Sequence, residues 1–344
     1  MHGANKIIND KSPDYSFIFD SYGSSYASAS CLICTRSLFN ILDNQLINKR
    51  WEDNFWARWP NLFINNLFND LLMLWQHEVN GHGFRISSFG SQVFGYGLYP
   101  LLNKTAPSSV ISLLTPVNGL GGFTRYVHKR KPLVDEELLV YIAGNEANTI
   151  LANEIVLKNF VQGKLDYRDY NLLFKAFTNL LVYLVVTDSS RDGDDISSYL
   201  VRINHRYSLG NLSLTDLRLG AIVFFLNPIL YSSICSFYTY AFKNEKEASI
   251  PCLAWGPITY MPIVRMGLTP FGMSYYLDSY VGYQNKTFLI SLQIGKVPSQ
   301  LRYYGAIGCK TNELYNYKRY GLDLTTSLWF QPDLLLEQTH VKKR

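Results

Sequence analysis

A chain of 344 residues, 47% of them apolar or aromatic and only 17% charged, can bury one large core or two ordinary ones, which argues against disorder. Its net charge of +5 is mild, and the basic clusters are short, "HKRK" at 128–131 and a terminal "KKR", so nothing suggests a nucleic-acid partner. Five scattered cysteines do not form a disulfide framework, whereas 15% aromatic residues suit a protein of the membrane interface or cell envelope.

The N-terminus, "MHGANKIINDKSPDYSF", lacks the charged-then-apolar pattern of a signal peptide. Apolar residues at three-and-four spacing then predict helices over 24–44, 61–78, 135–160 and 170–186. The first contains Cys31 and Cys34, a lone C-x-x-C among small and apolar neighbours, which reads as a pair of buried thiols. "DSSRDGDD" at 188–195 starts like a calcium loop, with Asp188, Ser190, Asp192 and Gly193. It lacks the glutamate expected at position twelve, where Tyr199 stands, and so reads as a loop capping the next helix. A further helical run over 213–242 opens at Ser213 or Thr215 as N-cap. From 219 to 242 it carries no charge, which is long enough to cross a bilayer, yet Asn227-Pro228 interrupts it. A transmembrane helix and a kinked buried helix both remain open.

The pattern changes near residue 250. After a linker-like "KNEKEAS" (243–249), strict alternation in "TFLISLQI" places Phe288, Ile290, Leu292 and Ile294 on one face and Thr287, Ser291 and Gln293 on the other. "GLDLTTSLWF" repeats the alternation, and turn signals separate the runs. The fold class expected is therefore α+β: a mainly helical region over 1–250, then a C-terminal antiparallel β-meander of four to five strands over 251–344.

The chemistry concentrates in "LLMLWQHEVNGHGF" at 71–84, with His77, Glu78 and His82. Residues five apart on a regular α-helix differ by about 140°, so the two imidazoles could not grip one ion. One extra residue taken up as a π-bulge restores a shared face, and Gly81 is suited to the distortion. His77 and His82 would then be metal ligands and Glu78 a general base beside a zinc ion. A third ligand is sought in the otherwise apolar "YIAGNEANTILANEI": Glu146 first, Glu154 as the alternative. The small residues Ala143, Gly144 and Ala147 would let that helix approach another closely.

"HEVNGHG" resembles the H-E-x-x-G-H motif of the dipeptidyl peptidase III family of zinc peptidases. The resemblance implies His77 and His82 as ligands, Glu78 as base, and Glu146 as the counterpart of that family's ligating glutamate. Here "NEANTI" has Asn145 where the family has the first glutamate of its second motif, and the likeness covers about a dozen residues. Away from that motif, the three glycines of "NGLGGFTRY" (118–126) read as a turn, and His205 and Tyr207 are candidate oxyanion donors. The expected function is a membrane- or envelope-associated zinc hydrolase acting on peptides or proteins. The rival is a non-catalytic envelope assembly protein with a structural or vestigial site.

Overall fold

Helices form wherever the three-and-four spacing predicts them. In the computed structural model, residues 24–46, 53–98, 122–160, 162–187, 194–207, 212–284, 286–298, 302–312, 315–317, 320–322 and 324–332 are described. Helix α1 (Ser25–Leu46) is followed by α2 (Phe55–Trp75), which starts ahead of the predicted boundary. Asn54 caps α2 by accepting from the Trp56 N–H at 2.9 Å. Pro60 lies inside α2, where it forfeits only the bond to the carbonyl four residues back. The helix runs on into a π-helical turn (Gln76–Gly83) and the short α3 (Phe84–Ser88).

Strands β1 (Gln92–Leu98) and β2 (Gly122–Val127) pair antiparallel beside that turn, with Tyr96 opposite Thr124. The long α4 (Val134–Asn159) is anchored at its start by Glu136, which accepts two bonds from Arg130 and one from the Leu133 N–H. Strand β3 (Lys164–Asp166) leads into α5 (Tyr167–Val186), capped by Asp166. Then come α6 (Asp195–Arg206) and α7 (Leu214–Gly220), the latter capped by Ser213.

A 3-10 segment (Ala221–Leu226) ends at Asn227, which caps α8 (Pro228–Tyr238), and a second π turn (Thr239–Lys243) follows. The uncharged run is thus two arms bent by 63° at Asn227-Pro228. Among the described residues no single helix is long and apolar enough to cross a membrane; these two arms pass that test only together. The expected linker partly forms β4 (Glu247–Ser249), which pairs with β3.

The C-terminal part contains β5 (Leu253–Trp255), β6 (Ile258–Thr269), β7 (Gly272–Tyr283), β8 (Lys286–Lys296), β9 (Tyr303–Asn312), the small pair β10 (Tyr315–Tyr317) and β11 (Tyr320–Leu322), and β12 (Thr325–Phe330). Six of them form one antiparallel sheet in the order β12-β9-β8-β7-β6-β5. The fold is α+β, with one strand more than the longer expected count. The sheet packs on the helices through a shared core that includes Ala29, Leu151, Ile155, Leu173, Ile263 and Tyr280.

Alternation correctly divides the two faces of β8, but the apolar face is the outer one. Ile290, Leu292 and Ile294 are 38, 44 and 59% exposed, while Thr287 is fully buried. Leu292 lies opposite Ile307, and Ile307 opposite Leu328, so the apolar row crosses three strands. Helix α2 is inverted in the same sense: Asn61, Asn65, Asn69 and Asp70 are buried, and Trp56, Ile64 and Trp75 are exposed. Asn65 accepts from Arg36, Asn61 donates to the Tyr167 and Tyr240 hydroxyls, and Asn69 donates to the Arg168 carbonyl. Of the two cysteines expected to be buried, Cys34 is and Cys31 is exposed, because α1 turns only one side to the core.

Candidate metal centre

The π turn is what brings the two histidines together. Its wider winding shows at Phe84, whose N–H reaches the Val79 carbonyl five residues back. As a result the Nε2 atoms of His77 and His82 lie 3.2 Å apart, and both side chains are buried.

Gly81 serves this arrangement by its size, since its φ is not positive. A Cβ there would stand 2.7 Å from the Gly144 Cα and 2.8 Å from the Ala143 carbonyl. A Cβ on Gly144 would stand 2.3 Å from His77 Nε2. The π turn and α4 therefore touch backbone to backbone, with the His77 ring lying across Gly144. Gly83 leaves room for the Tyr96 hydroxyl in the same way.

The third group at the histidines is Asp195, and not the expected Glu146 or its alternative Glu154. Its Oδ2 is 3.0 Å from His82 Nε2 and 3.5 Å from His77 Nε2. Asp194 caps α6 by accepting from the Ile196 and Ser197 N–H groups at 2.7 and 3.1 Å, which leaves its neighbour Asp195 to face the histidines. Glu146 sits elsewhere: 48% exposed, it accepts from Arg85 Nη2 at 2.6 Å. Glu154 is ion-paired with Lys310 on the sheet. Glu146 lies about 160° around α4 from Gly144, and Glu154 is about 15 Å further along the helix, so neither faces the two histidines.

The donor set fits a small divalent ion. Tetrahedral coordination with bonds of about 2.0–2.1 Å spaces its ligands roughly 3.3–3.4 Å apart. The observed edges of 3.0, 3.2 and 3.5 Å bracket that value. The outer nitrogens are also held. His82 Nδ1 lies 2.8 Å from the Val140 carbonyl, so it carries the proton and Nε2 keeps its lone pair. His77 Nδ1 lies 3.2 Å from the Asn148 amide, whose Oδ1 is buried with no partner. Rotated by 180°, that amide accepts from Nδ1–H and gives His77 the same tautomer.

Charge shapes the site as it stands. Burial opposes a proton on His82, but Asp195's charge and hydrogen bond outweigh burial and push its pKa up to about 9. Burial pushes the Asp195 carboxyl up, and the two histidines more than reverse this, holding it well below the usual carboxylate range. The Tyr183 ring stacks on His77, with its hydroxyl 3.3 Å from Nε2. Burial, then the charges of Asp195 and Glu78, hold that phenol well above its ordinary value, so it remains a donor.

Glu78, next to His77, is buried, and β2 encloses it. The Thr124 hydroxyl donates to Glu78 Oε2 at 2.9 Å, and a Cβ on Gly122 would lie 2.6 Å from the glutamate's Cγ.

Neither family models, nor curated proteins, nor solved structures match this chain.

Of the residues singled out in the sequence, His77 and His82 come together, while the Glu78 carboxylate is held by Thr124. His205 is exposed on α6, and Tyr207 packs beside Phe271, Val297 and Tyr304 instead. The calcium-loop residues Asp188, Ser190, Asp192 and Gly193, and most of the glycine run at 118–121, lie outside the described residues. Sequence reasoning missed Asp195, Asn148, Tyr183 and Thr124. Only Asp195 had a signal: two adjacent aspartates at a helix start, where one suffices as cap.

Proposed function

We propose that this chain is a membrane- or envelope-associated metallohydrolase that holds zinc and cleaves peptides or proteins. The observation that carries the reading is the His77–His82–Asp195 triangle, with the buried Glu78 following His77 in the chain. His77 and His82 would hold the ion through Nε2 and Asp195 through Oδ2. When bound, zinc supplies a Lewis acid that acidifies water and polarises a carbonyl. Glu78 takes the proton from water at Oε1, the oxygen that Thr124 leaves open, and returns it to the leaving nitrogen. Tyr183 donates its hydroxyl hydrogen toward the charge that develops on the carbonyl oxygen.

Two histidines and a carboxylate also suit non-haem iron(II). A buried glutamate next to a ligand favours hydrolysis, since oxidation needs no such base. The membrane part of the reading draws support from the bent uncharged arms, which expose Leu219, Ile222, Leu226, Ile234 and Phe242. The assembly reading has one observation of its own, the apolar row Leu292–Ile307–Leu328 on the outer sheet face.

Elemental analysis of the purified chain, with Asp195→Ala and Glu78→Gln beside it, tests the proposal. About one zinc per chain is expected, lost in Asp195→Ala and kept in Glu78→Gln. Cleavage of a peptide library should fall by about 10²–10⁴-fold in Glu78→Gln. Wild-type protein that takes up no metal when zinc is supplied would sink the reading, and stoichiometric iron would move it to oxidation.

A further inference from the structure

A cavity of about 260 Å³ lies between α4 and the sheet. At about 100° per residue, Ile142, Glu146, Thr149 and Asn153 face it from the side of α4 away from Gly144 and Asn148. It is therefore separate from the metal centre, and no step proposed above uses it.

The charges around this cavity already have partners. Glu146 pairs with Arg85, Glu154 with Lys310, and Arg265 with Asp278 at 2.5 Å. The two acids and two bases on its wall balance, so neither an anion nor a cation is favoured. What remains unsatisfied is neutral. Asn145 is 7% exposed, and both its Nδ2 and its Oδ1 lack a partner. On the opposite wall Gln293 donates to Ser274 Oγ at 3.1 Å, while its Oε1 is buried and unpartnered. Buried polar atoms are seldom left so, and one amide with both donor and acceptor free is complementary to another amide. Between them the wall is apolar, with Ile142, Leu268, Leu289 and Trp329.

We infer that this cavity binds an uncharged peptide-like ligand, one amide pairing with Asn145, an N–H donating to Gln293 and an apolar side chain filling the space between. The inference needs no bound metal, so it and the hydrolase reading can fail separately.

Calorimetric titration of the full chain with N-acetyl-L-leucinamide, with and without zinc, tests it. One saturable site is expected in both states. N-acetyl-L-leucine, an anion, and L-leucinamide, a cation, should bind at least about tenfold more weakly, the cost of one poorly matched buried group. Asn145→Leu should weaken the neutral probe by about tenfold or more and leave the melting temperature unchanged or raised, because it removes two unpaired buried atoms. Gln293→Met should weaken it too and carries the test if the first variant does not fold. No saturable binding to the wild type, or equal binding by both variants, would overturn the inference. Binding lost in Asp195→Ala but kept in Asn145→Leu would overturn it as well, since the amide would then sit at the metal centre.

Discussion

Helix α4 is approached from two sides, and the two contacts are built on opposite principles. On one side Gly81 and Gly144 bring the π turn to backbone contact, and each ring nitrogen of His77 and His82 has a neighbour within 3.2 Å. On the other the sheet stands off, leaving a cavity and an Asn145 amide with no partner. The first contact positions side chains whether or not anything is bound, as a site for an ion requires. The second leaves buried polar atoms for something else to satisfy. Close packing and unmet hydrogen bonds thus fall on different sides of one helix.

The close contact should break most severely at its glycines. Gly81→Ala places a Cβ against the α4 backbone, which cannot yield as a flexible side chain would. A loss of about 1–3 kcal/mol in chemical denaturation is expected, together with loss of metal. A variant as stable as the wild type would mean that the crossing is looser than the geometry implies. Asn148→Ala is a milder probe, because it removes only the group that orients His77. Competition with a chelator should show about 10–100-fold weaker metal binding, with the fold intact.

Acidity separates the metal-free from the metal-loaded centre. The pKa of His82 is raised from 6.5 to about 9, so its pairing with Asp195 stabilises the metal-free protein fully below pH 6.5 and is lost as pH rises to about 9. Melting temperatures of chelator-treated protein should therefore fall across that window, and His82→Gln should flatten the trend. Metal affinity should move the opposite way and rise with pH, since the ion needs a neutral imidazole. The smallest effect is expected at Glu146→Ala, which removes one partly exposed ion pair. About 0.2–1 kcal/mol of stability and no metal should be lost.

The π turn was legible in the sequence because spacing alone constrains it: two histidines five apart can share a face only if the winding takes up one extra residue. The reason for Gly81 was not, because its neighbour Gly144 is distant in the chain and only the fold shows the crossing. Asp195 was missed for the same reason, being 113 residues from His82. The helices and the sheet were readable from period, and so were the two faces of β8. Which face would be buried was not, because alternation is symmetric and says nothing about the side on which helices lie. There the apolar side chains of Ile290, Leu292 and Ile294 look outward, and the polar ones look toward α4.

That same separation of 113 residues would make Asp195 more than a ligand if the proposed ion binds. It is the first residue of α6, so an ion shared with the π turn would act as a cross-link between distant parts of the chain. Tying the ends of so long a loop restricts the unfolded chain far more than a bond between near neighbours. Occupancy of the centre would then be written into the docking of α6, and slow exchange of its amide hydrogens would report on the ion.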